Sequence, residues 1–244
     1  MICWIDGSAG ASGDMLLGAL VGVAVPLEAL AGPIESLGLD LTLTQRPVQR
    51  AGLAATKVDV VTTADELVGA EHHRRGLSDV IAILQPLDPA LRSSTIAVFE
   101  RLARAEAVVH GIEVEDVHFH EVGALDAIAD IVGVCAGFRY LRDERGTTEV
   151  LASTLSLGSG QTRGAHGPIP IPAPAVLELL RDVAPVLAGP APFESTTPTG
   201  AALLVELVDR WGPMPEMRIE AVGVGAGQRD SDVIVNAVRL AVGQ

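Results

Sequence analysis

Apolar and polar positions along this chain fall into stretches that suit strands and helices in turn. Ile2 to Ile5 is an apolar run of strand length, and the spacing after it predicts an apolar helix over about Ser12 to Val23. Pro26 opens a second short helix that Gly32-Pro33 interrupts. Leu39 to Pro47 and Leu53 to Thr62 alternate with a period of two, which predicts a pair of strands joined by a turn at Ala51-Gly52. Leu77 to Leu84 reads as a short helix. From about Pro89 to His110, the spacing of Ile96, Phe99, Leu102, Ala103 and Ala107 marks a longer amphipathic one, stopped by Gly111. Another helix runs to about Leu141, and Val150 to Leu157 is a strand. Pro168 to Pro174 is extended and precedes a helix over about Ala175 to Arg181, while Thr197 and Pro198 cap and start another. Met217 to Val222 and Ile234 to Val242 read as two strands around a glycine-rich turn, Gly223 to Asp230. The pattern predicts a mixed α/β fold with one central sheet and helices packed on it, the strand order being left open. It is read as one unit over residues 1–244, with a possible sub-boundary near 143–150.

Composition narrows the function classes. The mean hydropathy of +0.38 comes from Ala, Val, Leu and Gly, and no apolar run reaches the length of a membrane span. Met1 to Asp6 lacks the basic and apolar regions of a signal peptide, and two isolated cysteines form no disulfide framework, so a cytoplasmic protein is expected. Cys3 and Cys135 read as small buried hydrophobes. A formal charge of −14 opposes binding to nucleic acid or to an anionic membrane. An anionic small molecule is still compatible, given helix N-termini, arginines or a metal ion to meet it. The charge also leaves a homo-oligomer open. Lys57 is the only lysine, which reads as coding bias.

The densest chemistry lies in His118-Phe119-His120-Glu121 and the helix after it. An extended His118-Phe119-His120 turns both imidazoles to one side, and Asp126 and Asp130 share a helix face. Together they suit a metal ion better than a solvated loop does. Three other stretches are ready for an anion. Asp6-Gly7-Ser8-Ala9-Gly10-Ala11-Ser12-Gly13-Asp14 has the strand, glycine-rich turn and helix layout of a phosphate cradle, with Ser8, Ser12, Gly13 and Asp14 as contacts. Gly158 to Gly167 holds four glycines among Arg163 and His166, and Arg163 can grip a carboxylate or phosphate in two-pronged fashion. Thr197 and Thr199 flank a helix start. His72 and His73 form a further pair in a polar loop.

In this order the motifs resemble the N-terminal part of the LarC family of nickel chelatases. The resemblance rests on Asp6 to Met15, His118 to Ala124 with Asp126 and Asp130, Ala165-His166-Gly167 with Pro170 and Pro172, Thr196 to Gly200, and Gly223 to Gly227. It implies nickel insertion into pyridinium-3,5-bisthiocarboxylic acid mononucleotide, forming one carbon–nickel and two sulfur–nickel bonds in a CTP-dependent reaction that yields the nickel-pincer nucleotide. On that reading nickel(II) is held by His118 and His120 with Asp126 and Asp130, and His166 and Glu121 supply acid–base chemistry. The family has a longer histidine tract where only His72 and His73 stand here. It also has a C-terminal domain linked with CTP and magnesium or manganese, expected here on a separate chain or missing. Two rival readings are a non-catalytic nickel metallochaperone and a metal-dependent phosphohydrolase using the carboxylates near Asp6, Asp14, Asp126 and Asp130.

Overall fold

Strand β1 (Ile2–Asp6) lies inside a sheet, with Cys3 and Ile5 fully buried. The computed structural model describes residues 1–62, 75–119, 124–164 and 167–244. After β1 come α1 (Gly13–Gly22), α2 (Leu27–Ser36), β2 (Leu41–Arg50) and β3 (Leu53–Thr62). Then follow β4 (Arg75–Gly76), α3 (Leu77–Ile83), α4 (Pro89–His110), β5 (His118–Phe119) and α5 (Leu125–Asp143). The remaining elements are β6 (Glu149–Ala152), β7 (Leu155–Ser156), β8 (Gly160–Gly164), β9 (Gly167–Ile171) and α6 (Pro174–Leu180), then β10 (Val186–Leu187), α7 (Pro198–Leu207), β11 (Arg210–Trp211), β12 (Ile219–Ala226) and β13 (Ala237–Gly243).

A seven-stranded mixed sheet in the order β11-β6-β1-β13-β12-β3-β2 organises the molecule. β1 is parallel to β6 and antiparallel to β13, so the two ends of the described chain meet in the sheet's interior. The mixed α/β class read from the pattern is the class observed. Helix α1 packs on β12 and β3, α5 packs on α1 and α2, and α4, α6 and α7 pack against one another. Helix α5 carries the deepest core, with Ile128, Ile131, Val132, Val134 and Phe138 all buried. Both cysteines are free and buried, and burial pushes each thiol up to about 12. Among the described residues no helix is long and apolar enough to cross a membrane.

Local signals explain most boundaries. Ala51 and Gly52 take positive φ values of 47° and 81°, as the tight turn between β2 and β3 demands. Gly111 ends α4 in the left-handed conformation, and the Asp88 carboxylate accepts from the N–H groups of Ala90 and Leu91 at its start. Two expectations fail. Helix α2 continues through Gly32-Pro33, because burial of Leu30 and Ile34 on one face outweighs the hydrogen bond that Pro33 cannot donate. Gly223 to Ala226 is not a turn but the end of β12, paired with Ala237 to Leu240 of β13. Its glycines serve close packing: a Cβ on Gly223 would overlap the Ala19 carbonyl oxygen, and one on Gly225 that of Met15, both in α1. Within the glycine-rich stretch, Gly160 to Gly164 form β8, which pairs antiparallel with Gly167 to Ile171 of β9.

Candidate functional site

Three helices begin at one cleft of about 400 Å³. Ser12, Gly13 and Asp14 come from the start of α1, Asp126 and Ala127 from α5, and Thr197, Pro198 and Thr199 from α7. The sequence brings them together through backbone contacts. Ala11 bridges to Thr196, and the Thr197 N–H donates to the Ala11 carbonyl at 3.0 Å, which sets the starts of α1 and α7 side by side. Each helix start leaves its first N–H groups without intrahelical partners and carries a partial positive charge. Three such ends border one space within a chain of net charge −14, with the Met15, Ala127 and Gly200 N–H groups already taken by Asp14, Asp126 and Thr197.

Carboxylates share that space. Asp14 accepts hydrogen bonds from the Ser12 hydroxyl and, at 2.9 Å, from the Met15 N–H, and its other oxygen is ion-paired with Lys57. Lys57 is 2% exposed and its ammonium also lies 3.6 Å from Asp59. Asp130 sits one turn into α5, against Gly13. A Cβ at Gly13 would stand 2.5 Å from Asp130 Oδ2, so only glycine admits this approach of α1 to α5. Burial and the charges of Asp14 and Asp126 push the Asp130 carboxyl well above the usual carboxylate range, against the partial opposition of Lys57. Asp126 accepts from the Ala127 N–H at 2.9 Å. On the far wall, the Arg229 guanidinium lies over the Phe193 ring at 5.2 Å, and the Asn236 amide donates to the Arg229 carbonyl at 3.1 Å. Thr162 of β8 and Glu194 also line the cleft.

Of the residues singled out from the sequence, Ser12, Gly13, Asp14, Asp126, Asp130, Thr197 and Thr199 lie together in this cleft. Ser8 is exposed outside it, its N–H donating to Asp6 at 3.0 Å. Arg163 is exposed and outside the lining, beside Thr162, which faces in. His118 is exposed on β5, and its neighbour Phe119 is buried against Phe99, ring centroids 6.0 Å apart. His72, His73, His120, Glu121 and His166 lie outside the described residues. Asp6 is outside the lining: it is 5% exposed and ion-paired with Arg239. Burial raises its affinity for a proton, but hydrogen bonds from Ser8 and Arg239 outweigh that and hold it below the usual range. Among the described residues, no three His, Cys, Asp or Glu side chains are arranged to hold a metal ion.

Lys57, Asp59, Glu194, Arg229 and Asn236 are the lining residues that sequence reasoning passed over. For Lys57 a signal existed. A charge between Thr56 and Val58 in a strand pattern is buried only when paired, and Asp59 two residues on supplies one partner. A second groove of about 340 Å³, lined by Asp88, Arg139 and Tyr140 among others, contains none of the candidates.

The description "Nickel insertion protein" belongs to the family whose pattern matches residues 3–244. A pyridinium-3,5-bisthiocarboxylic acid mononucleotide nickel insertion protein of Nocardioides sp. (strain ATCC BAA-499 / JS614) is 50% identical over 98% of this chain and 59% of its own length. Proteins of the same description from Geobacillus kaustophilus (strain HTA426) and Desulfitobacterium hafniense (strain DSM 10664 / DCB-2) are 39% and 42% identical, over 100% and 99% of this chain and 60% and 58% of their own. The chain thus spans about three fifths of the length of these relatives. No solved structure matches it. With nearly all of its residues matched, the chain belongs to the nickel insertion protein family.

Proposed function

We propose that the cleft between α1, α5 and α7 binds a pyridinium mononucleotide together with a nickel ion and serves the insertion of nickel into pyridinium-3,5-bisthiocarboxylic acid mononucleotide. The observation that carries this reading is the convergence of three helix N-termini on a space also lined by Asp14, Asp126 and Asp130. One substrate of the proposed reaction is an anion with a phosphate, the other a divalent cation, and the cleft offers devices for both signs. The phosphate is assigned to the starts of α1 and α7, at Ser12, Gly13, Thr197 and Thr199. Nickel is assigned to the α5 side, to Asp126 and Asp130 with His118 and His120 from the segment before the helix, imidazole being a ligand that nickel favours. Forming a carbon–nickel bond breaks a ring C–H bond: the electron pair goes to nickel and the proton to a base, the role given to His166 or Glu121. CTP, with magnesium or manganese, is assigned to the part of the relatives that extends beyond the residues matched here, on the same or a separate chain.

A carboxylate-only lining would suit a hard cation, so magnesium is the control. Calorimetric titration of the chain with nickel, magnesium and a pyridinium mononucleotide separates the readings. Binding of nickel and of the mononucleotide is expected. Nickel without the mononucleotide would indicate a metal carrier, and magnesium without nickel a phosphohydrolase. Unchanged nickel stoichiometry in His118→Ala and His120→Ala, by elemental analysis, would remove the histidines from the ligand set.

A further inference from the structure

The chain's single lysine is placed where a cation is wanted. Lys57 reaches the cleft from β3, is 2% exposed, and sets its ammonium between Asp14 and Asp59, 3.6 Å from the latter. A buried ammonium requires paired carboxylates, and here the pairing uses one oxygen of the carboxylate that α1 presents to the cleft. Among the described residues no three metal-ligating side chains are grouped for an ion, and the Asp14 oxygen that could join one is held by the ammonium. Asp14 is fixed on its other oxygen by Ser12 and its own helix start, so it cannot swing away from the ammonium without losing those bonds.

We infer that Lys57 is a resident counter-ion, a positioning residue whose ammonium occupies the cation place at Asp14 until an anionic nucleotide draws it off. Nickel and nucleotide then bind cooperatively. The inference rests on the functional reading above and adds an order to it. Without nucleotide, a divalent cation must compete with a tethered positive charge that is always at hand. With nucleotide, the phosphate or a thiocarboxylate offers Lys57 another partner in the same cleft, and the Asp14 oxygen becomes available to metal. By linkage each substrate raises the affinity for the other by the same factor, typically between about five and 150-fold. An unpaired lysine, by contrast, would repel nickel whether or not the nucleotide were present.

The test is titration of nickel into the wild-type chain and Lys57→Met, each with and without nicotinic acid mononucleotide as the pyridinium probe. In the wild type the probe is expected to tighten nickel binding roughly tenfold. In Lys57→Met, nickel alone is expected to bind about tenfold tighter than in the wild type, and the probe to add little. Lys57→Gln still donates to Asp14 without the charge, and a shift in the same direction is expected there, which covers a Met variant that fails to fold. Asp14→Asn added to Lys57→Gln should abolish the gain, placing it at this carboxylate. Nickel binding no tighter in either Lys57 variant than in the wild type overturns the inference while leaving the functional reading intact. Failure of the wild type to bind nickel with or without the probe overturns that reading and the inference with it.

Discussion

Asp6 and Asp130 are two carboxyls whose surroundings push them in opposite directions. Asp6, at the end of β1, is met by Arg239 from β13 and by the Ser8 N–H, and is held below the usual carboxylate range. Asp130, on α5, faces Asp14 and Asp126 and is pushed well above it by burial and their charges. The first is a folding contact: it fastens the interior pair β1–β13 and leaves nothing over for a ligand. The second is kept at a cost to stability, as expected where a fold holds like charges for use. Burial pushes both carboxyls up; hydrogen bonds from Ser8 and Arg239 reverse it at Asp6, whereas at Asp130 the charges of Asp14 and Asp126 add to it.

The largest effect is expected from Gly13→Ala, which presses a methyl onto Asp130 and would part α1 from α5. Loss of about 3 kcal/mol is expected in urea unfolding, the upper end of ordinary overpacking. A loss below about 1 kcal/mol would mean that the two helices do not depend on this approach. Asp6→Asn comes next, with a loss of about 2 kcal/mol at neutral pH, the scale of a hydrogen bond to a charged group, and unchanged nickel and mononucleotide binding. The lowered pKa of Asp6 contributes stability above the unfolded value of 3.8 that is lost as pH falls through the folded one, so the variant's deficit should shrink on acidification. A change in binding would make Asp6 part of the site after all. Smallest, and opposite in sign, is Asp130→Asn. A pKa raised in the folded state favours the protonated form, so wild-type stability falls as pH rises from 3.8 through the folded value. Removing the charge should stabilise the protein by roughly 0.5 kcal/mol at pH 7, with no gain near pH 3, while weakening nickel binding. Thermal unfolding across that range checks it, and destabilisation at pH 7 would erase the contrast with Asp6.

Residues whose roles are local were legible in the sequence. Thr197 and Pro198 announce the start of α7, Gly111 the end of α4, and Ala51-Gly52 the turn of the hairpin, because caps and turns are settled within a few residues. The same local rules picked out Ser12, Gly13, Asp14, Thr197 and Thr199 as helix-start residues, and these do meet in one cleft. What could not be read was which distant partner each charge would find. Asp6 and Asp14 stand eight residues apart and look like one motif, yet a strand 233 residues away claims the first and β3 the second. Lys57 was passed over for the same reason: its importance lies in Asp14, 43 residues earlier. Gly223 and Gly225 read as a turn because glycine signals both conformational freedom and close approach, and only the position of α1 decides between them.

That glycine contact has a mechanical consequence. Gly18 and Gly22 of α1 lie over Gly225 and Gly223 of β12, so helix and strand meet backbone to backbone with no side chain between them. An interface of rotamers can absorb a small shift by repacking, whereas this seam has nothing that can yield. A displacement of β12 would carry α1 with it, and with α1 the lip of the cleft formed by Ser12 to Asp14.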